Sequence, residues 1–293
     1  MPWDGEGHSL QSRSHGGISL RKRENKVDLE LLAICALTFV IHLIGALAYA
    51  VRIAGVRTRR IAISFALFNI LVLVSRTSNS FQGPFLAKRI EEDLASPLTA
   101  HVLSDLRWIL LTATLATLVG ALAVPTFQRL FSRAVLHFQV HRSIAKMLLH
   151  GFAKGGLGAV REALTPPRVR QVTALKGGTG LPIRVIAMNV AAQALLTVGI
   201  YATFYAGYLE PDFRVTASSL SAVVNGVATL LLFVFIDPQL SVMTDDVVDG
   251  RVSEPAFRRA VVALSISRVA GTLVAQALLV PAAYLVVFVA RSI

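Results

Sequence analysis

Two residue patterns in this chain have the chemistry to handle a charged ligand: carboxylates in a DDxxD spacing, and arginines set inside apolar sequence. Asp245-Asp246-Val247-Val248-Asp249 is the first. Hard cations take carboxylate oxygens, and residues three or four apart share a helical face, so this spacing can hold Mg²⁺ on a diphosphate. An intramembrane Mg²⁺-dependent enzyme acting on polyprenyl diphosphates would need a second acidic cluster. The candidate, Glu91-Glu92-Asp93, falls on the opposite membrane side in the topology below. An acidic loop offsetting Arg251, Arg258 and Arg259 is the simpler reading. The sequence has no Ser/His/Asp set, HExxH or paired His–carboxylate arrangement. Lys176-Gly177-Gly178-Thr179-Gly180 lacks the Walker order and a preceding strand. A single cysteine, Cys35, rules out a disulfide framework or a Cys-based metal site within one chain. No catalytic residue, cofactor or metal is expected.

The arginines carry more information. Arg76 and Arg268 fall within apolar stretches. A guanidinium at mid-depth in a bilayer costs at least about 2.5–3.5 kcal/mol and is retained when it faces a cavity or a partner. Acids to pair with them are scarce: Asp237 ends one apolar stretch, and Asp28 and Glu30 precede another. Arg76, near a segment end, can snorkel to the interface, whereas Arg268 lies deep in its segment and points to a polar cavity or an anionic ligand. At about 100° per residue, Thr38, His42, Gly45, Tyr49 and Arg52 form one narrow stripe. Further stripes are Asn69, Arg76 and Asn79; Asn189, Gln193 and Thr197; Ser218, Ser221, Asn225 and Thr229; and Ser265, Arg268, Thr272 and Gln276. A stripe of Ser and Thr alone usually reflects helix–helix packing, and a lone His42 an interhelical hydrogen bond.

The elements that position these stripes follow from composition. The chain is 54% hydrophobic and 16% charged, with a mean hydropathy of +0.63. Its apolar residues come in blocks long enough to cross roughly 30 Å of hydrocarbon as helix. Six spans are expected, at about 31–51, 61–81, 108–126, 184–208, 216–236 and 260–289. The fold class is therefore all-α, a polytopic integral membrane protein; a closed barrel would need period-two alternation, which is absent. Span two turns polar after Val74, so it either lines something wet or breaks early. Span three has only threonines and is expected to face lipid. Span six is expected to tilt or kink near Pro281.

Residues 1–26 read as a polar, disordered tail without the apolar core of a signal peptide, and 27–293 as one transmembrane domain. The segment 127–183 begins with a basic helix, Phe127–His150, expected to lie in the membrane interface; a Gly/Pro-rich loop follows. Loops after spans one, three and five carry 17 Lys/Arg against 10 on the other side, five of them in the tail. The richer side is read as cytoplasmic, with both termini outside. The formal charge of +12 sits in these loops, so it attracts anionic membrane lipids, at about 1 kcal/mol per basic residue, rather than nucleic acid.

Tyr49–Asn79, YAVRIAGVRTRRIAISFALFNILVLVSRTSN, resembles the Amj family of bacterial lipid II flippases. Phe233–Gly250, FVFIDPQLSVMTDDVVDG, and Ser265–Gln276, SISRVAGTLVAQ, extend the resemblance across most of Val27–Val289. It implies a multi-pass protein of the bacterial plasma membrane. Its activity would be to move the undecaprenyl-diphosphate-linked peptidoglycan precursor, lipid II, from the cytoplasmic to the outer leaflet, without enzymatic turnover. The resemblance assigns no residues. On physical grounds, Arg52, Arg57, Arg59 and Arg60 are expected to collect the diphosphate. Arg76, Asn79, Arg268, His42, Asn225 and Gln276 are expected to line a hydrated path for the head group.

Overall fold

A computed structural model describes residues 12–95, 101–141, 156–164 and 180–293. The described residues form nine α-helices: α1 (Ser12–Thr58), α2 (Ile61–Ala95), α3 (Val102–His141), α4 (Gly156–Ala163), α5 (Ile183–Leu209), α6 (Arg214–Ser219), α7 (Ser221–Leu231), α8 (Asp237–Val248) and α9 (Glu254–Ser292). Among the described residues six stretches are long and apolar enough to cross a membrane: Leu29–Thr58, Ile61–Ala95, Val102–Gln139, Ile183–Leu209, Pro211–Val248 and Glu254–Ser292. The all-α polytopic architecture follows, because only helices satisfy the backbone within such segments.

Four sequence expectations change. Residues 12–26 belong to α1 rather than to a disordered tail. They contain no proline, and once Val27 onward is helical each added residue gains a hydrogen bond at small cost. Phe127–His141 is not a separate interfacial helix; it continues the third span directly, with Pro125 inside the helix. The remainder of that expected helix, 142–150, lies outside the described residues. Span two does not break where it turns polar but runs on to Ala95, through Pro84. Span three is central rather than lipid-facing: Thr114 and Thr117 are buried, and α3 packs along α1.

The tightest crossings are set by glycines. A Cβ on Gly120 of α3 would sit 2.5 Å from that of Ala46 and 3.2 Å from the Leu43 carbonyl oxygen of α1. On Gly271 of α9 it would sit 2.7 Å from both the Gln193 Cβ and the Val190 carbonyl oxygen of α5. With lipid tails as apolar as leucine, close backbone approach and van der Waals contact drive such pairs. The outcome is two helix pairs, α1 with α3 and α5 with α9, with α2 laid on α1. The fifth span, α6 to α8, rests mainly on α5 and is largely exposed. Between α7 and α8, Leu232–Ile236 forms a π-helical turn immediately before Asp237-Pro238. Pro238 has no N–H to donate and its ring crowds the carbonyl four residues back, and the widened turn accommodates both.

Two apolar cores stack along the bundle. One gathers Ile34, Leu86, Leu106, Tyr201 and Leu279; the other gathers Ile44, Ile53, Phe68, Leu240 and Leu264. The second lies at the end bearing Arg52, Arg57, Arg59 and Arg60, called the arginine-rich end below. Polar residues of the α1, α5 and α9 stripes lie where the two cores meet.

Candidate functional site

The α1 stripe is a seam that meets different partners along its length. Toward the far end, Thr38 joins Gln82 of α2 and Tyr201 of α5. Gln82 Nε2 donates to Thr38 Oγ1 at 2.7 Å and to the Tyr201 hydroxyl at 2.6 Å, and the two hydroxyl oxygens are 3.0 Å apart. Thr38 Oγ1 also donates to the Ile34 carbonyl at 2.7 Å. The three side chains are 0–2% exposed and hold three helices in register. Beyond them Arg89 and Asp105 form a buried ion pair at 2.5–3.0 Å, joining α2 to α3.

In the middle of the seam, Arg268 of α9 reaches across to α1. Its guanidinium lies so close over Gly45 that a Cβ at that position would overlap Nη2. Gly45 is thus required for the approach rather than for any backbone angle. The Tyr49 hydroxyl, one turn further along the stripe, donates to the Leu264 carbonyl at 3.4 Å. His42, buried one turn before Gly45, stands within electrostatic reach of the same guanidinium. Asn189 of α5 donates to Ser267 Oγ at 2.7 Å and to the Leu264 carbonyl at 3.2 Å. Among the described residues no carboxylate pairs with Arg268. Its Nε and His42 Nδ1 are both enclosed without a hydrogen-bond partner. A cation held this way in a low-dielectric interior has unused capacity for an anion.

At the arginine-rich end Arg52 donates to Asp237 Oδ1 at 3.0 Å and packs over the Phe65 ring, 5.1 Å from its centroid. Arg57 donates from Nε to Glu254 Oε1 at 3.2 Å, and Arg258 binds the same oxygen at 2.6 Å through Nη2. Arg59, in a left-handed conformation (φ 54°), and Arg60 are exposed and make no ion pair among the described residues. A concentration of cations with a shared counter-charge faces this end.

The other expected site residues disperse. Arg76 and Asn79 lie on the exposed face of α2, away from Arg268. Asn225 packs over Gly199 of α5, with its Oδ1 enclosed and without a partner. Gln276 Nε2 donates to the Arg107 carbonyl at 3.1 Å, tying α9 to α3. The stripe hydroxyls of Thr197, Ser265, Thr272 and Thr229 bond carbonyls of their own helices, which suits packing rather than ligand contact. The DDxxD motif ends α8, where Arg251 bridges Asp246 at 3.1 Å and Asp249 at 2.7 Å. Sequence reasoning missed Gln82 and Tyr201. Gln82 lies just beyond the expected end of span two, and Tyr201 continues the Asn189, Gln193, Thr197 row at the same four-residue spacing, the signal that could have found it.

Comparison with known proteins bears on the family of the chain. The sequence profile of the Amj family, described as Alternate to MurJ, matches residues 37–290. A protein named Lipid II flippase Amj, from Bacillus subtilis (strain 168), is 35% identical over 268 residues, which is 90% of this chain and 98% of that protein. No solved structure matches. With six spans, a basic end and the profile covering nearly all of the bundle, the chain belongs to the Amj family.

Proposed function

We propose that this chain is a lipid II flippase of the bacterial plasma membrane: a transporter, not an enzyme, that carries the undecaprenyl-diphosphate-linked peptidoglycan precursor from the inner to the outer leaflet. Arg268 is the observation that carries the mechanism. It is a guanidinium in the polar seam with no carboxylate paired to it among the described residues and an enclosed Nε without a partner. Retaining such a group costs a few kcal/mol unless an anion meets it, and a diphosphate is a bidentate fit for a guanidinium. The arginine-rich end faces the cytoplasm in this reading, where Arg59 and Arg60 collect the diphosphate and Arg52 and Arg57 can exchange their carboxylates for it. The head then passes along the α1 stripe to Arg268. His42, Tyr49 and Asn189 there offer polar groups that hydrogen-bond sugar and peptide without trapping them.

The test is complementation. The chain is expressed in a bacterium depleted of its own lipid II flippases, and precursor reaching the outer face is labelled. Growth with labelled precursor, abolished by Arg268→Ala at equal membrane abundance, is the expected result. No rescue by wild-type protein that is verifiably inserted would overturn the reading.

A further inference from the structure

The flippase reading leaves open where the lipid tail goes while the head crosses. Between α3 and α9 runs a groove of about 480 Å³, floored by Ile53, Val124 and Val261 and flanked by exposed Leu122, Ile266 and Leu273. That volume is in the ~300–1,000 Å³ range of small-molecule sites. It exists because Ala121, Pro125 and Ala270 present little side chain where α3 and α9 face each other. Its lining is apolar except at the arginine-rich end, where Gln128, Ser265 and Arg258 enter it.

The charge at that end is unbalanced. Arg57 and Arg258 share one oxygen of one carboxylate, Glu254, so two cations face a single anion at the groove's mouth. An apolar channel with a net positive mouth suits a long-chain lipid carrying an anionic head. In lipid such a groove gains nothing from the hydrophobic effect, so it selects by shape and by what ordering the chain costs. A polyprenyl chain, stiffened by its double bonds and branched by its methyl groups, loses less freedom there than a saturated acyl chain does. We propose that this groove holds the head-proximal isoprenoid units of a polyprenyl diphosphate lipid, with its diphosphate at Arg258 and Arg57. The identity of that lipid as transported cargo rests on the flippase reading above.

The experiment is photolabelling of the purified full chain in nanodiscs with a diazirine-bearing polyprenyl diphosphate, with labelled positions mapped by mass spectrometry. Labels should concentrate on Leu122, Ile266 and Leu273. Unlabelled polyprenyl diphosphate should compete and phosphatidylglycerol should not. Ala270→Trp, or Ala121→Trp from the opposite wall should one variant fail to fold, should weaken labelling roughly tenfold by overfilling the groove. Leu230→Trp, on the exposed face of α7, should leave it unchanged. Labels spread evenly over exposed residues such as Leu230 and Phe233, or equal competition by phosphatidylglycerol, would overturn the assignment. Labelling needs no transport: a chain that rescues growth yet labels diffusely loses the groove alone, and one that labels the groove without rescuing growth loses the flippase.

Discussion

Two polar clusters lie on the same stripe of α1, less than three turns apart, and are built on opposite terms. Around Thr38 the groups are neutral and bonded to one another: Gln82 bridges Thr38 and Tyr201, and Thr38 reaches back to its own helix. Around Gly45 the central group is charged, its Nε and the neighbouring His42 Nδ1 are unpartnered, and no carboxylate answers the guanidinium among the described residues. Satisfied neutral networks fix which helices meet and in what register. An unsatisfied cation weakens the fold and is kept for what it can bind. The difference separates polar residues that build this bundle from those that operate it.

Arg268→Ala breaks the comparison at its strongest point. Outer-face labelling should fall at least about tenfold, while thermal stability in detergent stays level or rises, because an unpaired enclosed charge has been removed. A large fall in stability would place Arg268 among the structural groups instead. Gly45→Ala should come next. The new Cβ pushes the guanidinium off α1, lowering transport by a smaller factor at unchanged membrane abundance. Gln82→Leu reverses the pattern. It removes the donor shared by Thr38 and Tyr201, leaving those two hydroxyls only each other across the helices, and should cost about 1–2 kcal/mol of stability by denaturant titration, with transport per folded molecule retained. The smallest effect belongs to Asp245→Ala with Asp246→Ala. Arg251 keeps Asp249, exposed ion pairs contribute about 0–1 kcal/mol, and transport should persist. Loss of all activity there would revive the diphosphate enzyme.

Six spans, the polar face of α1 and the isolation of Arg268 were legible in the residues. A bilayer demands helices of a set length, and the helical period shows which side chains share a face. Facing partners were not legible. Arg76 and Asn79 fall on one stripe with Asn69, yet α2 lies on α1 by its other side and leaves all three exposed. Span three looked like a lipid-facing helix because it has only threonines, and proved to be the close partner of α1 through Gly120. The basic stretch after Thr126 had the spacing of a surface helix, and that same spacing continues a span already under way.

The residues by themselves determined that this chain lives in lipid, how many times it crosses, and that one arginine sits where an arginine is costly. Burial of apolar length and the scarcity of acids are local properties, readable along the chain. Only the tertiary structure decided that Arg268 ends over Gly45 beside His42 and Tyr49, that Gln82 completes a hydrogen-bonded triad, and that α3 and α9 leave a groove between them. Those outcomes depend on which helices cross at Gly120 and Gly271, over separations of tens to hundreds of residues. Van der Waals fit between whole helices chooses among faces that hydropathy leaves equivalent.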